Sequence, residues 1–319
     1  MLEIDNLYKT FGDTKALNGM SFKVNEGEMY GFVGSNGAGK TTTMRIILGV
    51  LKANSGQVRL GGKPIDFNAR KNFGYMPEER GLYPRMKVGE QLIYLAILQG
   101  LEPAAAKKAM EYWTERLGVA ARRNDQVQAL SLGNQQRVQL SAALIHNPHY
   151  LVLDEPFSGL DPVAVDVMSS VLREKVDQGA MVIFSSHQLE LVERICDRVG
   201  ISSQGRIVAE GSIDTLRSTD TRIYEIDTDV DVALLTSALA KHGAIPTPIV
   251  GRRAVRVDLP NGVDDQAILR EALALGPVRS YALVRPHLHE LFKDVVVAPQ
   301  PEAESKPKKK GLFGLFGGK

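Results

Sequence analysis

The stretch GSNGAGKTT, Gly34 to Thr42, limits the chain's fold more than any other feature. It follows the apolar run MYGFV and precedes the helical pattern TTTMRIILGVL. The spacing G-x-x-x-x-G-K-[ST] between a strand and a helix is that of a phosphate-binding loop. Gly34, Gly37 and Gly39 let backbone N–H groups around Ser35, Asn36 and Ala38 curl about a β-phosphate, and the helix N-terminus adds positive potential. Lys40 would bridge β- and γ-phosphates, the Thr41 hydroxyl would bind Mg²⁺, and Thr42 continues the loop into the helix. A chain carrying this unit must build an α/β core.

The remaining pattern agrees. YLVLDEP reads as a buried strand that delivers Asp154 and Glu155 to its C-terminal end, where open α/β sheets place ligands. Asp154 can hold Mg²⁺ through water, and Glu155 can orient and deprotonate an attacking water. AMVIFSSH is a second apolar run, separated from the first by a helix over Pro162–Gln178 that Gly179 can terminate. Apolar strands alternating with helices predict a parallel sheet covered on both faces. Before it, residues 1–34 read as short strands with turns at Gly12-Asp13 and Asn25–Gly27, and Val88 to Asn147 is mostly helical. From Arg222 the order strand, helix, strand, strand, helix, strand predicts a ferredoxin-like unit. A short helix, HLHELFKDVVV, and a Pro/Glu/Lys linker follow it.

A second polar helix start, LSLGNQQ from Leu130, raises the question of a second anion site far from the first. Taken alone it is an N-cap on a surface helix.

Together these segments resemble the ATP-binding subunits of ABC transporters. GSNGAGKTT resembles the Walker A loop, YLVLDEP the Walker B strand, LSLGN (Leu130–Asn134) the LSGGQ signature, and SGLD (Ser158–Asp161) the D-loop. His187 in FSSHQ resembles the switch histidine, although a lone histidine at a strand end also suits simple packing. Phe11 sits where the family stacks an aromatic on adenine. The resemblance spans Met1 to Ser218. It implies a P-loop NTPase core with a parallel sheet, an antiparallel β subdomain and a helical subdomain over about 85–147. An α+β ferredoxin-like domain over 219–297 and a disordered basic tail over 298–319 complete the expected organisation.

The resemblance also answers the question of the second site. In this family two cassettes face each other head to tail, so one copy's signature clasps the nucleotide held by the other's Walker A loop. Ser131 and the Gly133 N–H, with Asn134 beside them, would then donate to the partner copy's γ-phosphate, and Asp161 would make contact across the dimer. Asp161 can also cap the helix that begins at Pro162. The chain departs from the pattern at Leu132 and Asn134, which replace Gly and Gln, and at Glu78, which stands where most members have the Q-loop Gln. Glu78 can still ligate Mg²⁺ or accept from a water, but it adds negative charge beside Glu155. The wording PEERGLY resembles a subgroup that serves export permeases of the ABC-2 type.

Bulk properties narrow the function classes. The 319 residues carry a net charge of +2, and five lysines against two glutamates fall in residues 299–319. The body is therefore near neutral and is not a basic nucleic-acid binder. That tail, with Phe313 and Phe316 beside Lys306, Lys308, Lys309 and Lys310, reads equally as a foothold on an anionic membrane or as a solubilising segment. No apolar run reaches the ~18 residues of a membrane span. The lone Cys196 reads as packing, and His242, His287 and His289 lack the cysteines of a metal cluster. The expectation is an ATPase, with ATP and Mg²⁺, peripheral on the cytoplasmic face of the membrane and powering a separate permease. By the family resemblance alone, helical residues near Arg80–Val88 would receive the permease's coupling helix. The alternatives are a soluble ABC-type ATPase acting on ribosomes or DNA, and a non-catalytic nucleotide sensor, against which Lys40, Asp154 and Glu155 argue.

Overall fold

A computed structural model describes residues 1–79, 81–217 and 221–284. Strands β1 (Leu2–Phe11) and β2 (Thr14–Val24) form a hairpin, and β3 (Met29–Gly34) leads through the glycine loop into α1 (Lys40–Ile47). Next come β4 (Ser55–Leu60), β5 (Lys63–Pro64), α2 (Phe67–Arg70) and β6 (Phe73–Met76). Helices α3 (Val88–Leu98), α4 (Pro103–Arg116) and α5 (Leu132–Leu144) precede β7 (Tyr150–Leu153). Then α6 (Pro162–Asp177), β8 (Met181–Ser186), α7 (Leu189–Ile195), β9 (Arg198–Ser203), β10 (Arg206–Ser212) and α8 (Ile213–Arg217) follow.

The central sheet has the order β10-β9-β3-β8-β7-β6. Its pairs β3–β8, β3–β9, β7–β8 and β6–β7 are parallel. Every residue of β3 and β8 is buried, as the apolar runs predict for strands covered on both faces. Alternate side chains enter different cores. Val33, Leu151, Leu153, Val182 and Phe184 pack with Trp113, Val138, Leu144 and Met168 beneath the helices. Phe32, Val152 and Ile183 pack with Leu2, Met20 and Phe22 of the antiparallel sheet, whose order is β2-β1-β4-β5. That sheet, the helical group and the parallel core match the expected subdomains. Among the described residues no helix is long and apolar enough to cross a membrane.

Several boundaries differ from expectation. β1 and β2 have 10 and 11 residues rather than being short. Register shifts, with Asn6 at φ 49°, interrupt their ladder and bend the hairpin locally. α1 ends at Ile47, where Gly49 adopts φ 75°, and α6 ends at Asp177, with Gln178 as its cap. Cys196 is buried, and burial pushes its thiol pKa well up, which suits packing.

The last unit contains β11 (Thr221–Thr228), α9 (Val232–Ala240), β12 (Ile245–Pro248), β13 (Ala254–Pro260), α10 (Asp265–Leu275) and β14 (Val278–Val284). Its all-antiparallel order β12-β13-β11-β14 is the ferredoxin-like arrangement. Asp231 and Asp264 cap the two helices, and Ile226, Leu239, Val257 and Ile268 form the centre of a separate core. The expected helix at 287–297, the basic tail and Arg80 lie outside the described residues.

Candidate functional site

Two glycines shape the phosphate loop. Gly37 and Gly39 adopt φ of 81° and 95°, conformations that favour glycine. A Cβ on Gly39 would lie 2.6 Å from Leu17 Cδ2 and 2.8 Å from the Ala16 carbonyl, so the loop is pressed against β2. Lys40, 7% exposed, donates from Nζ to the carbonyls of Gly34 at 2.7 Å and Ser35 at 3.2 Å. Burial lowers its pKa, against the opposing pull of Glu155, Asp154 and Glu78. An ammonium held this way is ready to exchange carbonyl partners for phosphate oxygens.

The carboxylates sit just past the end of β7. Asp154 is 1% exposed and Glu155 7%, and Glu155 adopts φ 49°, unusual for a residue with a Cβ. Ser185, at the end of the neighbouring β8, donates to Asp154 Oδ1 at 2.6 Å and accepts from the Glu155 N–H at 2.8 Å. His187 Nδ1 lies 3.0 Å from Glu155 Oε2, and the Gln188 N–H donates to Ser186 Oγ at 3.0 Å, bracing the turn that carries the imidazole.

The phosphate loop and both carboxylates converge on one cavity of about 360 Å³, which His187 touches only through Glu155 and does not line. Its walls comprise Asn36 through Thr42, Glu78, Asp154, Glu155, Phe11, and Thr14 to Ala16. Phe11 lines the cavity and is half exposed, with Lys9 Nζ 5.2 Å from its ring centroid. Glu78, also exposed, meets the cavity from the segment after β6. A larger cleft of about 690 Å³, lined by Leu160, Pro162, Val165, His187 and residues of α7, lacks the phosphate loop and both carboxylates.

The donor set suits Mg²⁺. Asp154 Oδ2 is buried and has no hydrogen-bond partner, while its other oxygen is held by Ser185. Among the described residues no group of three or more His, Cys, Asp or Glu could hold a metal by itself. A site that offers one carboxylate oxygen and a threonine hydroxyl fits a hard cation that keeps waters and takes its other ligands from phosphates.

Ser131, Gly133, Asn134 and Asp161 do not line this cavity. Ser131 caps α5, accepting from the Asn134 N–H at 3.4 Å. A Cβ on Gly159 would lie 2.6 Å from Leu132 Cδ2, and one on Gly133 would lie 3.6 Å from Leu160 Cδ2. LSLGN therefore packs on SGLD, forming a second cluster in the same chain. Asp161 Oδ1 accepts from the Ala164 N–H at 2.8 Å and caps α6. Leu132, 42% exposed, covers the glycine turn at 159, which a signature glycine could not do. Sequence reasoning missed Ser185 and the lining residues Thr14 to Ala16. The serine pair before His187 is the one local signal of the former.

A family model described as ABC transporter matches residues 17–158. The ABC transporter ATP-binding protein YhaQ of Bacillus subtilis is 40% identical over 299 residues, covering 93% of this chain and 99% of that protein. Nod factor export ATP-binding protein I of Burkholderia lata is 36% identical over 256 residues, covering 76% of this chain and 83% of that protein. The solved structure of an ATP-binding subunit of an ABC transporter aligns with TM-score 0.63 and 31% identity, over 68% of this chain and 92% of that one.

Proposed function

Because this chain belongs to the ABC transporter ATP-binding family, we propose that it is the ATPase subunit of an exporter whose permease is of the ABC-2 type. That it is an ATP-binding, ATP-hydrolysing subunit of an ABC transporter follows from the family itself. Similarity to a Nod factor export protein and the PEERGLY segment support export. The chain works on the cytoplasmic face of the membrane, bound to the permease. Residues 1–218 form the motor and 219–297 an accessory unit.

One observation supports the catalytic assignment most: Lys40, Asp154, Glu155 and Glu78 share a single cavity with the glycine loop. Phe11 stacks on adenine, and the backbone N–H groups of residues 35–41 cradle the phosphates. Lys40 leaves the Gly34 and Ser35 carbonyls for the β- and γ-phosphates. Mg²⁺, when bound, neutralises charge developing on the phosphate oxygens. Thr41 and Asp154 would hold it, and Glu78 would ligate it or accept from a water. Glu155 takes a proton from water as the water oxygen bonds to the γ-phosphorus. The bond from that phosphorus to the β–γ bridging oxygen breaks, and ADP departs with the electron pair. His187, braced against Glu155, holds the imidazole toward the γ-phosphate.

The second cluster completes the site of another copy. Ser131 and the Gly133 N–H stand at a helix N-terminus, where an anion is favoured. With a second copy docked head to tail, they reach its γ-phosphate. ADP lacks that group, so hydrolysis loosens the pair and transmits the stroke to the permease. Co-purification with its permease, followed by ATPase assay of wild type and Glu155→Gln, tests the proposal. Hydrolysis that persists in Glu155→Gln would refute the assignment of the base.

A further inference from the structure

We propose that Ser185 is a positioning residue for hydrolysis, fixing through one hydroxyl both the Asp154 oxygen left for the metal shell and the backbone that carries Glu155. This rests on the reading above that Asp154 serves Mg²⁺ and Glu155 serves the water.

The geometry leaves the hydroxyl little choice. Ser185 is fully buried, and β8 runs parallel to β7 with Leu153 opposite Phe184. The next residues along, Asp154 and Ser185, are thereby brought together. An ionised carboxylate only accepts, so the single hydroxyl proton goes to Asp154 Oδ1, at a distance in the charge-assisted range. A lone pair then takes the Glu155 N–H. Two consequences follow. That bond resists rotation of the carboxylate, and Oδ2 is the buried oxygen without a partner. The Glu155 peptide is anchored in a left-handed conformation that a residue with a Cβ rarely adopts. Ser185 thus orients Asp154 through its carboxylate and Glu155 through its main-chain N–H, and does not line the cavity itself. A purely structural serine would satisfy the buried N–H and do nothing more.

The two roles separate in binding as well as in turnover. Fluorescence titration of full-length protein with mant-ATP, in Mg²⁺ and in EDTA, compares wild type, Ser185→Ala, Ser185→Thr and Asp154→Asn. Outer-shell partners of metal ligands typically contribute about 10- to 100-fold. Ser185→Ala should lose about tenfold or more of the Mg²⁺-dependent gain in affinity. Its affinity in EDTA should stay at the wild-type level, and its kcat should fall more than its KM rises. Ser185→Thr, which keeps the hydroxyl, should recover the gain. Ser185→Cys, close in volume and a weak donor, takes the place of Ala if that variant does not fold. A Ser185→Ala protein that keeps the wild-type gain while Asp154→Asn loses it overturns the positioning role alone. So does equal loss in Mg²⁺ and EDTA, the mark of a structural effect. If Asp154→Asn matches wild type, the metal-side reading fails and this inference fails with it.

Discussion

Glu155 is held at three points: by its N–H on Ser185, by its carboxylate on His187, and by a left-handed backbone between them. A general base placed this firmly contributes roughly 10²–10⁴-fold to rate. Glu155→Gln should therefore lose at least about 100-fold in ATPase kcat while retaining nucleotide affinity, measured by phosphate release and mant-ATP titration. Glu78→Gln should behave differently, because Glu78 is exposed at the cavity edge. It should remain an active ATPase with an altered Mg²⁺ dependence, and a dead variant with intact binding would show that the charge itself is required. Lys40 supplies a pH prediction. Its pKa is lowered by burial in the free protein, and bound phosphates would raise it. Between those two values binding takes up a proton, so affinity for mant-ATP should fall as the pH rises from the lowered Lys40 value toward the ordinary lysine range. Affinity that rises over that range would contradict the argument. The sequence placed Lys40, Asp154 and Glu155 because spacing and strand–helix context define their chemistry. It could not place Ser185, whose role depends on β7 and β8 lying in register.

Elements were legible wherever hydrophobic periodicity was unambiguous. The buried runs of β3, β7 and β8 declared a parallel sheet, and their alternate residues divide between two cores as period-two geometry demands. The βαββαβ order was equally visible, because Asp231 and Asp264 cap its helices and turns punctuate its strands. The length of the β1–β2 hairpin was not visible, since its bulges are set by backbone pairing rather than residue type. Two substitutions test the element joints. Gly39→Ala places a Cβ against Leu17 and the Ala16 carbonyl at positive φ, so mant-ATP binding should be lost and the melting temperature lowered. Asp161→Ala removes the cap of α6 and should cost about 1 kcal/mol in denaturant unfolding. Asp161→Asn, which preserves an accepting oxygen, should recover most of it.

On the scale of the whole molecule, one chain holds a phosphate loop with its carboxylates in one place and a signature helix packed on SGLD in another. Family resemblance supplied the reason before any geometry did, since residue types alone made LSLGN an ordinary cap. The membrane reading of the tail falls outside the described residues. In the proposed assembly two copies share two nucleotides, each clasped by a loop from one copy and a signature from the other. Native mass spectrometry of Glu155→Gln with ATP and Mg²⁺, where turnover is arrested, tests it directly. The expected result is a particle of two chains carrying two ATP molecules, reverting to single chains with ADP. Single chains that each retain bound ATP would contradict it.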